Sequence, residues 1–582
     1  MWLDDFVNIA ELDPNTPLPE NNDYYKDGNA LLDIIFEEDT TSEKTQKTIN
    51  EINKLLENNG GVGLNYRSVY EIGYTAVIIA MIIIVVIIIL FTDSYISALC
   101  MFTTIGVAIF INMGTNIILG SISEITLMAA AVIQLAVSID YSLIFFKNIK
   151  IARDKNESID RAIIEASIKS FKTILASALT TIAGFLALGL MNYKIGSELG
   201  IVLAKGVIFS LLTVTFLLPA LVKLTIKLID KTKHRALLPS INGLSKLISG
   251  KLSIITLILV IGFAVFGFYG QLNNEYLYSD NSVEYTDLEE EIVTNFGEFN
   301  QLVLLVPISE QDKELAFVNE AYQLQGIRQI RSLRSLFPNV PFEYIPEETR
   351  AQFLSDKHFL INITMNAQKE SEVTFELIEK INDLSDKHFS KAYLVGESAV
   401  IYDTKNTVED DYLLVIIIST ISIALIILLT FKSLTIPILL MLVIQTAIWL
   451  NMAIPYFQGI KISFLGYILI SSIQLGATID YAIIMTDHYE EARKSFGPLE
   501  ASKKAFQVSS QSIIISMLVL IIAGFSLSMM MDMDLIKELG VLIGRGTFFS
   551  GLLSLIFLPP LLILFDKIVT HTTLKRKTYI KK

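Results

Sequence analysis

The chain has 582 residues, 52% of them hydrophobic and only 18% charged, with a mean hydropathy of +0.53 and a formal net charge of −14. A soluble protein of this length needs far more polar surface, so that class is excluded. A single cysteine, Cys100, excludes a disulfide framework and any Cys-rich metal site.

Five histidines (His234, His358, His388, His488, His571) share no ligand spacing, so no metal is expected. No G-x-x-x-x-G-K-[ST] phosphate loop is present, so an ATP-driven pump would need a separate motor subunit. No cofactor, enzymatic activity or nucleic-acid partner is expected.

A membrane-crossing helix needs about 20 apolar residues, because the hydrocarbon core is about 30 Å thick. Residues 1–73 are polar and read as a partial first extracytoplasmic domain. Spans at 74–91, 95–113, 122–146, 174–191 and 199–222 form a first transmembrane half over 74–226. A cytoplasmic linker at 227–251 leads to a span at 252–269, which opens the second half within 252–270. Residues 271–411 form a second extracytoplasmic domain. Spans at 412–431, 436–454, 462–485, 513–531 and 539–565 then fill a second transmembrane half over 412–566, and 567–582 is a basic cytoplasmic tail. The total is eleven spans.

Sidedness follows from Lys and Arg in short loops. Residues 147–172 and 223–251 each carry seven basic residues and are expected in the cytoplasm. Residues 1–73 hold 15 acids and 5 bases, and residues 271–411 hold 27 acids and 11 bases. The outer domains therefore carry −26 and the rest of the chain +12, so the net −14 records sidedness.

Sliding the chain by 340 residues sets Gln134-Leu-Ala-Val-Ser-Ile-Asp-Tyr141 on Gln474-Leu-Gly-Ala-Thr-Ile-Asp-Tyr481. The same offset aligns Arg153 with Arg493, Gly184-Phe185 with Gly524-Phe525, Glu198 with Glu538, Lys205 with Arg545 and Pro219 with Pro559, giving about 27 identities over 97 positions. The halves are a parallel duplication. The soluble parts repeat at offset 329, with period-2 strands at 29–36 and 358–365 followed by helical spacing at 43–56 and 372–384, so each reads as a small α+β domain. The span 252–269 has no counterpart, which would lie before Met1 together with the first part of the first soluble domain. Because Met1-Trp-Leu-Asp-Asp-Phe lacks a signal-peptide pattern, Met1 is expected to be a truncated start or the point of a split gene.

A carboxylate at bilayer depth is disfavoured by about 2.5–3.5 kcal/mol, which makes it a functional candidate by default. Asp140 and Asp480 occupy the same repeat position inside their spans, each followed by a tyrosine. Neighbours on a helix point about 100° apart, so Asp and Tyr of one helix cannot meet on one atom. Across a pseudo-twofold axis Asp140 can pair with Tyr481 and Asp480 with Tyr141. Such a pair would let a desolvated carboxyl take up and release protons while the phenol orients it. The alternative is a permanently protonated carboxyl that glues two helices. Gln134, Ser138 and Tyr141 share a stripe, as do Gln474, Thr478 and Tyr481; they fit either a polar path or helix–helix glue. Lys205 and Arg545 lie roughly 10 Å from the aspartates by helix rise, open to a coupling role, to snorkelling, or to pairing with Glu198 and Glu538.

Duplicated halves, an outer domain after the first helix of each half and an Asp-Tyr pair in the fourth resemble the resistance-nodulation-division (RND) superfamily, and most closely its MMPL branch. The stretch Asn112-Met-Gly-Thr-Asn-Ile-Ile-Leu-Gly120 and the Lys205-Gly206 and Arg545-Gly546 pairs are similar to Gram-positive members. The resemblance implies a membrane all-α bundle, here eleven of twelve spans, with α+β porter-type domains outside. It implies export of lipids or other hydrophobic compounds across the plasma membrane, driven by the proton-motive force. It makes Asp140, Tyr141, Asp480 and Tyr481 the proton relay, and protons, membrane lipid and a hydrophobic substrate the partners, with a homo-oligomer or a complementing N-terminal fragment also compatible. Lacking the first helix, the chain also fits an inactive fragment. A non-transporting, sterol-sensing-like protein is a further reading. An intramembrane aspartyl protease is disfavoured, because both motifs read Ile-Asp-Tyr and no Gly-x-Gly-Asp is present.

Overall fold

The computed structural model describes residues 42–56, 74–155, 158–234, 252–279, 300–529 and 534–574, together with 25–26, 29–30, 245, 248, 294 and 297. Most of 1–73, much of the linker at 227–251 and the tail beyond 574 lie outside the described residues, and with them most of the strand expected at 29–36. The chain divides into two compact units, one of 70–282 with 404–582 and one of 1–69 with 283–403.

The first unit is helical because a segment in hydrocarbon must satisfy every backbone N–H and C=O internally. Its helices are α1 Tyr74–Phe91, α2 Tyr95–Gly114, α3 Glu124–Asp154, α4 Ile159–Leu188, α5 Lys194–Lys231, α6 Leu252–Leu272, α7 Glu397–Phe431, α8 Thr435–Gln458, α9 Phe464–Arg493, α10 Pro498–Leu527 and α11 Asp534–Ile556. The first residues of α7 belong to the second unit. Ten helices among the described residues are long and apolar enough to cross a membrane. The stretch expected as the first span is helical from end to end as α1.

Helix ends depart from the apolar windows. Helix α4 begins at Ile159 rather than 174, and α3 runs on to Asp154 rather than 146, because backbone hydrogen bonding continues where apolarity stops. The span expected at 539–565 is two helices, α11 and Leu558–Leu564, parted at Phe557 just before Pro559-Pro560. Proline cannot donate the helical hydrogen bond. The equivalent Pro219 sits inside an unbroken α5.

Helix α9 is buried along its span and α3 largely so. The halves join crosswise, α4 on α9 and α10 on α3. At the α4–α9 crossing Gly184 and Gly476 face each other, and Thr181 Oγ1 donates to the Gly476 carbonyl at 3.0 Å while Ser472 Oγ donates to the Gly184 carbonyl at 2.8 Å. Small residues allow this approach, and hydroxyl donors to the opposing backbone hold it.

The second unit contains an antiparallel sheet of β1 Asn300–Pro307, β2 Ile327–Ser332, β3 His358–Met365 and β4 Tyr393–Val395, in the order β2-β3-β1-β4. The expected period-2 strand at 358–365 is β3, with Phe359, Ile361, Ile363 and Met365 buried. Helices Glu314–Ala321 and Glu372–His388 cover that face with Phe317, Val318, Leu377, Ile378 and Ile381. Helix Glu43–Leu56 forms as its spacing predicts.

Candidate functional site

The Asp-Tyr motifs lie in the middle of α3 and α9, the two most enclosed helices. Asp140 is 5% exposed and Asp480 1%, and both tyrosines are fully buried. The Asp140 carboxyl faces Ser516 of α10 and the Asp480 carboxyl faces Ser177 of α4, so each looks into the opposite half. The Tyr141 phenol lies near Asp480 and the Tyr481 phenol near Asp140. The motifs thus converge on one centre, but the expected Asp–Tyr hydrogen bonds are not made. Asp140 Oδ1, both Asp480 oxygens, both phenol oxygens, and Ser142 and Ser177 Oγ have no hydrogen-bond partner. Geometry explains the difference: Ser177 and Ser516 project from α4 and α10 toward the carboxyls, while the Tyr141 phenol turns toward Thr181 and Ser177.

Each unpaired buried polar group costs about 1–3 kcal/mol, and a buried carboxylate more. Native proteins keep few such groups. Among the described residues, seven such atoms gather at this one centre.

The polar stripes beside the motifs have a different role. Gln134 Nε2 donates to the Gly206 carbonyl at 3.0 Å and to Ser210 Oγ at 3.3 Å, and Ser138 Oγ donates to Ser210 Oγ at 2.6 Å, binding α3 to α5. Gln474 Nε2 does the same in the second half, to Gly546 and Ser550, both at 3.1 Å. Thr478 Oγ1 closes on its own helix at the Gln474 carbonyl. The bonds of Gln134, Ser138 and Gln474 join neighbouring helices, whereas that of Thr478 stays within α9.

Two asparagines to which the sequence assigned no role complete the pattern. Asn112 of α2 donates to Gln134 Oε1 at 2.8 Å and to the Val202 carbonyl at 3.2 Å. Asn451 of α8 donates to Gln474 Oε1 at 3.0 Å and to the Leu542 carbonyl at 2.9 Å. They hold the intramembrane cations: Lys205 Nζ donates to the Asn112 carbonyl and to Asn116 Oδ1, and Arg545 donates to Asn451 Oδ1 at 2.7 Å and to the Asn451 carbonyl at 2.9 Å. Glu198 and Glu538, considered as partners for those cations, accept the backbone N–H of Ser123 and Ser463 at the starts of α3 and α9. A carboxylate is favoured at a helix N-terminus.

Asp411, 1% exposed, was also missed. Its carboxylate accepts the backbone N–H groups of Asn192 and Tyr193, both at 3.0 Å, tying α7 to the α4–α5 turn.

A model described as the MMPL family matches residues 67–237 and 309–579. The chain belongs to the MMPL family. It is 24% identical over 497 residues to the membrane protein YdfJ of Bacillus subtilis, covering 78% of this chain and 65% of that protein. Over 88 residues it is 36% identical to a putative membrane protein, MJ1562, of Methanocaldococcus jannaschii, covering 15% of this chain and 23% of that one. The chain therefore spans less than two-thirds of the length of these relatives.

Among solved structures this MMPL chain resembles SecDF, a translocon-associated membrane protein from Thermus thermophilus, with a TM-score of 0.57 and 14% identity, covering 93% of this chain and 71% of that one. SecDF in its super-membrane-facing form matches with a TM-score of 0.53 and 14% identity, covering 85% of this chain and 62% of that one. The chain therefore shares the fold of SecDF and is a membrane protein of the MMPL family.

Proposed function

We propose that this MMPL chain exports lipids or other hydrophobic compounds across the plasma membrane, driven by protons relayed through Asp140, Tyr141, Asp480 and Tyr481. The observation that carries the reading is the pair of buried, hydrogen-bond-deficient carboxyls at matching positions on the two innermost helices, where the halves meet. A carboxyl without fixed donors binds and releases a proton without first breaking a strong bond. When it is neutral the two halves can close around it; when charged it needs water or a donor. Ser177, Ser516 and the opposing phenol stand nearest to supply that donor. Proton binding and loss thereby bias how the two halves pack, and the changed packing is the step that moves substrate at the outer side.

Gln134, Gln474, Ser138, Thr478, Lys205 and Arg545 keep each half rigid in this scheme. The basic loops lie in the cytoplasm and the acidic domains outside. The test is transport by wild type, Asp140→Asn and Asp480→Asn in cells or in proteoliposomes with an imposed pH gradient, with folding checked by the melting profile. Each variant is expected to fold and to lose proton-dependent export. Normal export by both overturns the relay.

A further inference from the structure

Seven residues beyond the aspartates, toward the end of the bundle that carries the basic loops, the same four helices meet in a second polar cluster. Lys147 of α3 lies 3.1 Å from His488 of α9, Nζ to Nε2, bridging the two halves. The other imidazole nitrogen, Nδ1, sits 2.8 Å from the Ile484 carbonyl and 3.1 Å from Ser509 Oγ of α10. Thr173 Oγ1 of α4 donates to Asp487 Oδ2 at 3.3 Å, and Lys169 Nζ pairs with Glu491 at 3.4 Å.

A seven-residue spacing recurs on three of the four helices. Lys147 follows Asp140 by seven residues, Asp487 follows Asp480 by seven, Ser509 precedes Ser516 by seven and Thr173 precedes Ser177 by four. Seven residues are two helical turns on one face, about 10 Å. On α3, α9 and α10 the cluster therefore lies on the carboxyl-bearing side of the helix, two turns nearer the basic loops.

The geometry points to His488 as the proton port on the basic-loop side of the relay, with Lys147 as its latch. The inference rests on the proposed relay and deepens it. The Ile484 carbonyl is an acceptor only, so it fixes the hydrogen on Nδ1 and leaves Nε2 as the basic nitrogen. In the structure that lone pair is covered by the Lys147 ammonium. A proton leaving an aspartic acid passes along water or hydroxyl groups to Nε2 only when Lys147 has swung away. The resulting imidazolium then gives the proton to bulk water, and the carboxylate is left behind. The charged groups facing His488 are Lys147 of α3, Lys169 of α4 and Glu491 of its own helix, while Asp487 is faced by Lys169, Lys172 and Glu491. Together they hold the imidazole between charges of both signs.

The test follows proton equilibration of the buried aspartates by the infrared carbonyl band of the neutral acid. The full chain is reconstituted in vesicles with the basic-loop face outward, and the external pH is jumped. His488→Ala is expected to slow equilibration by about 100-fold, the lower end for a positioned proton-transfer group, and added imidazole is expected to restore it. Lys147→Met is expected to accelerate it. If His488→Ala does not fold, the Lys147→Met arm decides with the opposite sign. Unchanged rates in His488→Ala, or slowing in Lys147→Met, overturn the port while leaving the relay intact. If the band survives the Asp140→Asn/Asp480→Asn double change, the aspartates are not the titrating groups, and the relay and its port both fall.

Discussion

The duplication supplies an internal control for what burial does to an ion pair. Arg493, at the end of α9, makes paired hydrogen bonds to Asp566 at 2.8 and 3.0 Å, with the two side chains only 6% and 10% exposed. Its repeat partner Arg153, at the end of α3, makes the same paired contact with Asp230 at 2.9 and 2.8 Å, but there the side chains are 28% and 37% exposed and Lys233 also reaches Asp230 at 2.8 Å. Removing one member of a buried pair strands the other charge and costs about 3–5 kcal/mol. An exposed pair contributes about 0–1 kcal/mol. Arg493→Met is therefore expected to destabilise by about 3–5 kcal/mol and Arg153→Met by under about 1 kcal/mol, although the sequence equates the positions. The assay is unfolding of the purified chain in mixed micelles, read as free energy for each variant. The double change Arg493→Met/Asp566→Leu is expected to regain most of the loss, since apolar replacement of a whole buried pair is often near neutral. Tyr489 would still donate to the Leu562 carbonyl at 3.2 Å. Equal losses for Arg153→Met and Arg493→Met, or a double variant worse than Arg493→Met alone, would refute the reasoning.

Three further outcomes are expected. At the α4–α9 crossing, a Cβ on Gly184 would lie 3.0 Å from Gly476 Cα, whereas one on Gly476 meets nothing closer than 3.4 Å. Gly184→Ala should therefore lower the melting temperature measurably and Gly476→Ala hardly at all. Asn451→Ala strips Gln474 and Arg545 of their shared partner and should cost about 1–3 kcal/mol in the same unfolding assay. In the α+β unit, burial raises the Glu314 carboxyl above its ordinary range, against the Arg334 N–H that it accepts at 2.7 Å. A raised acid penalises the folded state once it ionises, so its contribution falls as pH rises from the ordinary carboxylate range through the raised value. Glu310 is held low by Lys313 and the Ser390 N–H, and its contribution is instead lost as pH falls through its lowered value. Glu314→Gln should flatten the loss on the rising side, measured as hydrogen exchange of the β1 and β3 amides corrected for intrinsic pH dependence.

What the sequence revealed depended on whether the signal was one-dimensional. Apolar windows located the bundle and the Asp-Tyr repeat located its centre, because both are properties of single segments. Contacts between helices were legible only where both partners kept the same offset. Gln134 and Gln474 differ by 340, but their partners Asn112 and Asn451 differ by 339, since the connection from α2 to α3 is one residue out of step with that from α8 to α9. An ungapped slide places Asn112 opposite Met452 and hides the pair. Lys147 and His488 escaped for another reason: the slide sets them opposite the unlike Asp487 and Asn148, and only the crosswise packing of the halves brings them together. The serines of α4 and α10 that face the carboxyls carry no periodic signature, so the sequence offers only the tyrosines as partners.

The central claim is that proton movement through the aspartate pair is obligatorily linked to substrate movement. Its most direct measurement is the internal pH of proteoliposomes containing the full chain, with the basic-loop face inward, during outward movement of a hydrophobic reporter down its own gradient and with no pH gradient imposed. The account predicts acidification of the lumen in step with reporter efflux, abolished by Asp140→Asn or Asp480→Asn. Reporter efflux with no change in internal pH would contradict it.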